Sequence, residues 1–401
     1  MAAVTRIHLD GPAPSTMTPA ERRLDLFRRV DAVGDALAAS EADSNRLGRL
    51  AAPAVEALRA AGLIALKAPL QCGGFEAEPA LQYEVFERVA LANPAAAWCL
   101  FIHADVLGVA CSRFSDDALD VLFALDPLPM LCGGGGLKPC TLTEVEGGYR
   151  LSGTCRYGSG MSAASWVTLS GVVRHDDGRI EPRICFLPKG DLEVDEAGWD
   201  MSGMRGTGSY DYRADEVFVP EVMTRSALLP PQRGGRMYRT GQMGYLGHSI
   251  PAVAWGIVGR ALDRIAVDAG ELSRGYQQPT RLGDRPPFAR FLGEAAQKRR
   301  AARALMMADG EELMAAVDRG DPLPPLEAAT RSAGAWACHL AVEVMTDLVR
   351  HAGGSVLREG SLYERALRDV TVAASHIVVD ESAHENLARA MLGHEGANLM
   401  A

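Results

Sequence analysis

The sequence predicts a mainly helical chain with a central β domain. Three observations predict it. Apolar residues recur at helical spacing in the first and last thirds, the middle carries short runs rich in β-branched and aromatic residues, and Pro- and Gly-rich stretches divide the two regimes. The chain has 401 residues, 48% apolar and 23% charged, which suits a folded protein with a large core and two or three subdomains. Extended disorder and collagen-like repeats are excluded by that apolar content and by glycines without a three-residue period.

Residues 1–17 read as a flexible arm. Thr18-Pro19-Ala20-Glu21 then starts a helix, with a Thr cap, Pro in the first turn and Glu three residues after the cap. Leu24, Phe27, Val30, Val33 and Leu37 follow as one apolar face. A second helix is expected over Ala54–Ala61, stopping at Gly62, and more helix over 80–125 with breaks near Pro94 and Ser115. The character changes at Pro127, and four glycines (Gly133 to Gly136) open a region of short strands. Tyr149–Ser152, Trp166–Leu169 and Val217–Val219 read as strands, and Asp177-Gly178 as a hairpin turn. Pro230–Gly235 is a linker. From Tyr245 the helical period returns, broken at Gln278-Pro279, Asp321-Pro322 and Gly353-Gly354. The expected domains are the arm, an N-terminal helical domain at 18–130, a middle β domain at 131–232 and a C-terminal helical domain at 233–401.

A net charge of −10 argues against a protein built to grip nucleic acid or an anionic membrane surface. No unbroken run of 18 apolar residues occurs, so no transmembrane helix is expected, and the N-terminus lacks the apolar stretch of a secretory signal. The eight cysteines form no C-x-x-C pair and read as reduced, partly buried thiols of a cytoplasmic protein. Gly203-Met204-Arg205-Gly206-Thr207-Gly208 is followed by a strand rather than a helix, so it is no dinucleotide turn. Phosphate-loop and nucleophile-elbow motifs are absent. His384-Glu385 and His394-Glu395 lack the second histidine of a zinc helix, and no metal is expected.

Three blocks remain, in a fixed order. The first is Gly147–Gly153 with Tyr157-Gly158-Ser159-Gly160 and Trp166. The second is Gly198–Ser209 with Phe218-Val219-Pro220. The third is Gly353-Gly354 with Arg368-Asp369 and His376. Together with the helix–β–helix order they resemble the acyl-CoA dehydrogenase superfamily over nearly the whole chain. Within it the sequence is most similar to the flavin-dependent monooxygenase branch, whose members include oxygenase components of two-component hydroxyphenylacetate and steroid-phenol hydroxylases and dibenzothiophene monooxygenase. The resemblance implies an N-terminal helical domain, a middle β-barrel or sandwich and a C-terminal four-helix bundle, assembled as a homotetramer. It implies an enzyme that takes reduced FMN or FAD from a separate flavin reductase and forms a C4a-hydroperoxide with O2. That enzyme would oxidise a small aromatic or heteroatom-containing molecule in a pocket walled by the β domain and the last long helices.

By the same resemblance, Ser159 lies beside flavin N5, with Tyr157 and Gly158 in the turn that approaches the ring. Trp98 stands on the flavin or substrate wall, His103 contacts a phenolic oxygen, and the Gly353-Gly354-Ser355 loop approaches the flavin phosphate or ring from a neighbouring subunit. His376 points at the flavin edge and substrate, where an imidazole can take a proton or hydrogen-bond the peroxide. Arg281 is a flavin phosphate anchor, with Arg285 and Arg290 as alternatives. A turn serine, a packed helix tryptophan and satisfied core histidines are the plain alternatives for Ser159, Trp98, His103 and His376. Arg368, Val372 and His376 are expected on one helix face at i, i+4 and i+8. Relatives carry an acid three residues after the histidine, where this chain has Val379 and then Asp380. Arg205 reads as structural, holding the β domain against the helices. Cys155 stands where relatives place Trp, which would enlarge or reshape the pocket or, equally, change only the layer behind its wall. The rival readings are an acyl-CoA dehydrogenase, which needs a glutamate base that the residues after Asp369 do not supply, and a non-catalytic scaffold paralogue.

Overall fold

The computed structural model describes residues 5–124, 126–134 and 138–394; Gly135 and Gly136 of the glycine run lie outside the described residues. The described part of the expected arm is tied down. Ile7 is 2% exposed and donates its N–H to the Cys72 carbonyl at 2.9 Å, while Arg6 bonds Asp116 at 3.1 Å and Asp120 at 2.7 Å.

Helix α1 (Pro19–Ala39) opens with the capping box read from the sequence. The Thr18 hydroxyl accepts the Glu21 N–H at 3.3 Å, and the Glu21 carboxylate accepts the Thr18 N–H at 2.8 Å. Phe27, Val30 and Leu37 are buried as expected, but Leu24 is 59% exposed and Leu26 takes its place. The core-facing stripe is therefore rotated from the predicted one. A short α2 (Glu41–Leu47) was not expected from the sequence. Helix α3 (Ala52–Ala60) stops before Gly62, whose φ of +66° suits glycine. Helices α4 (Pro79–Ala92), α5 (Pro94–Arg113) and α6 (Asp116–Phe123) break at Pro94 and Ser115 as predicted. Helix α5 is long and apolar enough to cross a membrane by length and composition, and 89% of that window is buried in the protein. Counting unbroken apolar runs missed it because His103 and Asp105 interrupt the run.

Strands β1 (Leu131–Gly133), β2 (Cys140–Val145), β3 (Gly148–Gly158), β4 (Trp166–Arg174), β5 (Ile180–Pro188), β6 (Glu193–Asp195), β7 (Tyr210–Pro220) and β8 (Thr224–Ser226) form one sheet. Its order is β6-β7-β3-β2-β4-β5-β8, with β1 parallel to β4. Val167, Leu169 and Val173 on β4 alternate inward, the period of a half-buried strand. The β4–β5 hairpin turns at Asp177-Gly178 as predicted, with Gly178 at φ +83°. The β3–β7 pairing slips between Cys155 and Gly158. The ladder resumes at Gly158 opposite Tyr210, and within the slip Tyr157 takes a φ of +62°. The Pro230–Gly235 linker is pinned by the Gln232 and Arg233 amides on the Ser112 carbonyl.

After α7 (Gly241–Leu246) and α8 (Ser249–Asp268), a small hairpin pairs β9 (Ser273–Arg274) with β10 (Thr280–Arg281). Helices α9 (Pro286–Arg319), α10 (Pro324–Ala352), α11 (Leu362–Ala374) and α12 (Ser382–Met391) follow, with breaks where the sequence placed them.

The chain divides into two compact units rather than at the three expected boundaries. Of the described residues, the first holds those up to 77, 98–201 and 205–238, so α1–α3, most of α5 and all of α6 belong with the sheet, and the second holds 78–97, 202–204 and 239–394. Here α8, α9, α10 and α11 pack as a bundle, with α4 against α8 and α9. A Cβ on Gly256 of α8 would come 2.4 Å from the Ala90 Cβ, so the glycine sets how closely α8 and α4 approach. Trp255 is fully buried and donates its indole N–H to the Ala337 carbonyl at 3.0 Å.

Candidate functional site

In the first unit, three segments distant in sequence meet at the end of β3. The chain leaves the sheet through Tyr157-Gly158-Ser159-Gly160, closed by the Ser159 N–H on the Tyr157 carbonyl at 2.8 Å. The Trp98 indole N–H, from α5, donates to the Ser159 hydroxyl at 3.0 Å. The Ser159 hydroxyl shares a hydrogen bond with Ser209 at 2.6 Å, and Ser209 shares one with Thr207 at 2.7 Å. Backbone reinforces the cluster, since the Gly160 N–H donates to the Thr207 carbonyl at 2.8 Å. The Arg205–Thr207 turn is supported by α2. Trp98, Ser159, Thr207 and Ser209 are all buried. The sequence reading named Trp98 and Ser159 separately, and the structure joins them. It missed Thr207 and Ser209 as site residues, although both stand in the glycine block it quoted.

Tyr157, an exposed residue, lies beside this chain with its ring edge-on to that of Trp199 at 6.4 Å. Gly158 is held close to the sheet, because a Cβ there would meet Met161 at 2.8 Å and the Tyr212 ring at 2.9 Å. His103 is fully buried. Its Nδ1–H donates to the Leu131 carbonyl at 2.8 Å, so the neutral ring keeps its lone pair on Nε2. That Nε2 has no partner among the described residues and sits under Gly160, where a Cβ would come within 2.5 Å of it. Burial lowers the His103 pKa to about 4. Behind the turn, Cys155 is buried with its Sγ 3.8 Å from that of Cys140. Cys155 thus packs against Cys140 in the sheet, which agrees with the reading of it as a residue behind the pocket wall. All eight cysteines are free and buried. Arg205 bonds its own loop, at Asp200 (3.3 Å) and the Met201 carbonyl (3.2 Å), so its structural role is local rather than between domains.

The remaining candidates lie in the second unit. His376 is not on α11. The helix ends at Ala374, and His376 caps the following short turn with φ −73° and ψ 136°. The expected shared face of Arg368, Val372 and His376 fails because Ser375 ends the helix before the third position. Asp369 is buried and accepts the Met204 N–H at 2.5 Å, while Arg368 bonds the Ser202 carbonyl and Glu364, so this pair fixes the 202–204 loop. The His376 Nδ1 accepts the Val378 N–H at 3.2 Å, which puts the neutral ring's proton on Nε2. Burial lowers its pKa to about 4. Val379 is buried and Asp380 pairs with Arg331 at 3.0 Å, so Asp380 already has a structural partner. Arg281 is exposed on β10, and Gly354 and Ser355 are exposed beyond α10. The Arg274 guanidinium donates to the His351 carbonyl at 2.6 Å and closes the end of that helix.

The residues at the turn fit a flat heteroaromatic ring such as an isoalloxazine. A hydroxyl offers one proton and two lone pairs, and Ser159 spends two of these three on Trp98 and Ser209. One direction remains for a ring nitrogen, whether that nitrogen donates or accepts. The exposed Tyr157 ring is an apolar surface beside it.

Residues 248–381 match the family described as acyl-CoA dehydrogenase, C-terminal domain. The chain is 25% identical to the indole-3-acetate monooxygenase of Pseudomonas putida over 374 residues, covering 91% of this chain and 92% of that one. It is also 25% identical to the flavin-dependent monooxygenase oxygenase subunit HsaA of Rhodococcus jostii over 371 residues, 88% of this chain and 94% of the other. Among solved structures, XiaF from Streptomyces sp., in complex with FADH2 and glycerol, shares the fold at a TM-score of 0.87 and 24% identity, covering 94% of this chain and 97% of that chain.

Proposed function

We propose, for a chain with the acyl-CoA dehydrogenase fold that is similar over about nine-tenths of its length to an indole-3-acetate monooxygenase and to a flavin-dependent monooxygenase oxygenase subunit, that it is the oxygenase component of a two-component flavin-dependent monooxygenase. It takes reduced FMN or FAD from a separate reductase and oxidises a small aromatic or heteroatom-containing molecule. The observation that carries this reading is the buried Trp98–Ser159 hydrogen bond, with a third hydroxyl direction still open. Reduced flavin, when bound, supplies the electrons by which one atom of O2 reaches the substrate and the other leaves as water.

Each residue then has a task. Ser159 hydrogen-bonds ring N5, and Trp98, Tyr157 and Gly158 hold the turn against the ring. His103 positions that turn from beneath Gly160 rather than touching a phenolic oxygen, since Gly160 covers its open nitrogen. His376 acts as a neutral hydrogen-bond donor through Nε2, because Val378 already occupies its acceptor nitrogen. Arg281 binds a flavin phosphate, and Gly354 and Ser355 offer backbone and hydroxyl donors to the flavin of a neighbouring subunit. The proposal includes a homotetramer in the cytoplasm.

The dehydrogenase alternative is not favoured. Asp369, which would precede the base block, is committed to the Met204 amide, and residues 370–376 include no carboxylate. Anaerobic incubation with FAD and an acyl-CoA separates the two readings. We expect no bleaching of the flavin, and oxygenated product when reduced flavin, O2 and a panel of phenols and indoles are supplied instead. Bleaching by the acyl-CoA would refute the monooxygenase reading.

A further inference from the structure

We propose that Ser209 and Thr207 are positioning residues that set the hydrogen-bond polarity of Ser159, so that one hydroxyl serves the flavin in both of its redox states. The inference rests on the reading that Ser159 faces ring N5. The Ser159, Ser209 and Thr207 hydroxyls carry three protons, and two links join them, at 2.6 and 2.7 Å. One proton is therefore directed out of the chain. Trp98 can only donate, so one lone pair of Ser159 is always spent on it.

Two arrangements follow for Ser159. When it donates to Ser209 and Ser209 donates to Thr207, Ser159 keeps one lone pair for an outside donor. When Thr207 donates to Ser209 and Ser209 to Ser159, the Ser159 proton points outward to an acceptor. Reduced isoalloxazine carries N5–H, a donor, and the oxidised ring presents a bare N5, an acceptor. The first polarity suits the reduced ring and the second the oxidised ring. Thr207 is the inner acceptor that makes the first polarity possible without stranding the buried Ser209 proton. Both serines are at most 4% exposed, so water does not easily substitute for that acceptor.

The test is Thr207→Val, which keeps the side-chain shape and removes the hydroxyl. Affinities for reduced and oxidised FMN are measured anaerobically and aerobically on the full chain by tryptophan quenching. With the reduced ring bound, Ser209 would have a buried proton and no acceptor, and we expect about tenfold weaker binding of reduced FMN. Oxidised FMN should bind as before or more tightly. That tenfold change in ratio lowers the two-electron potential of bound FMN by about 30 mV. Ser209→Ala should shift the ratio in the same direction, and Thr207→Ser should restore the wild-type ratio. Equal weakening of both forms in Thr207→Val, or no change in either, overturns the polarity device. If Ser159→Ala weakens FMN binding in that case, the flavin reading stands without it. If Ser159→Ala changes neither affinity, Ser159 does not face the ring and both claims fall.

Discussion

The turn at 157–160 and the loop at 353–355 each hold two glycines and a serine, yet they are built in opposite ways. In the first, Ser159 is 3% exposed and is locked between an indole, a second hydroxyl and a backbone amide bond. In the second, Gly354 and Ser355 are exposed, and a Cβ on Gly354 would meet nothing within 4 Å. The lesson is that the first surface is tied together through its buried side chains, whereas the second holds its backbone in a short 3-10 turn and leaves Gly354 and Ser355 facing solvent. Changes at the turn should therefore reduce stability and binding together, and changes near the loop should reduce binding alone.

The largest expected break in that comparison is Gly160→Ala. Gly160 has φ +76°, and its new Cβ would lie 2.5 Å from the His103 Nε2. Strain and clash together should cost roughly 3 kcal/mol or more, read by urea denaturation. Gly354→Ala should stay within about 0.5 kcal/mol of wild type. Equal costs would erase the contrast.

Acid should expose the same asymmetry. The folded pKa of His103 is about 4, below its unfolded value, so only the unfolded chain binds that proton between pH 6.5 and 4. Stability is unaffected by this group above pH 6.5, falls as the pH drops through that window, and levels off below about 4. The loss from His103 is about 3 kcal/mol. His103→Asn should flatten the slope, and a slope identical to wild type would show that His103 is not held neutral by burial. His376 contributes in the same direction.

The smallest effect on stability is expected at Arg281. Arg281→Ala should leave stability within about 0.5 kcal/mol, since the side chain is exposed. It should weaken FMN about tenfold and riboflavin not at all, because only FMN carries the phosphate. Titrations of the two flavins check this, and equal loss for both would remove Arg281 from the phosphate.

What could be read from the sequence was local. The Thr18 capping box, the Asp177-Gly178 hairpin and the three C-terminal helix breaks depend on residues a few positions apart, and all appear as expected. The stripe of α1 was misread at one of its residues because Leu24 and Leu26 both fit a helical period, and only packing selects between them. The periodicity of α11 was carried two residues too far. Ser375 and the β-branched run Ile377-Val378-Val379 were the signal that the helix had ended. The hydroxyl chain joins Ser159 to Ser209, 50 residues on, and to Trp98, 61 residues back, and no spacing rule reveals such pairings. Ser159 and Trp98 were found by resemblance, while Thr207 and Ser209 needed the folded turn to become visible.

The central claim is that the Ser159 turn retains a reduced flavin while it reacts with oxygen. Rapid mixing of the protein–reduced FMN complex with aerated buffer tests it most directly. Wild type should reoxidise the flavin in two phases, the second much slower than for free FMN, and Ser159→Ala should lose the slow phase. A single phase at the rate of free FMN in the wild-type protein would contradict the account.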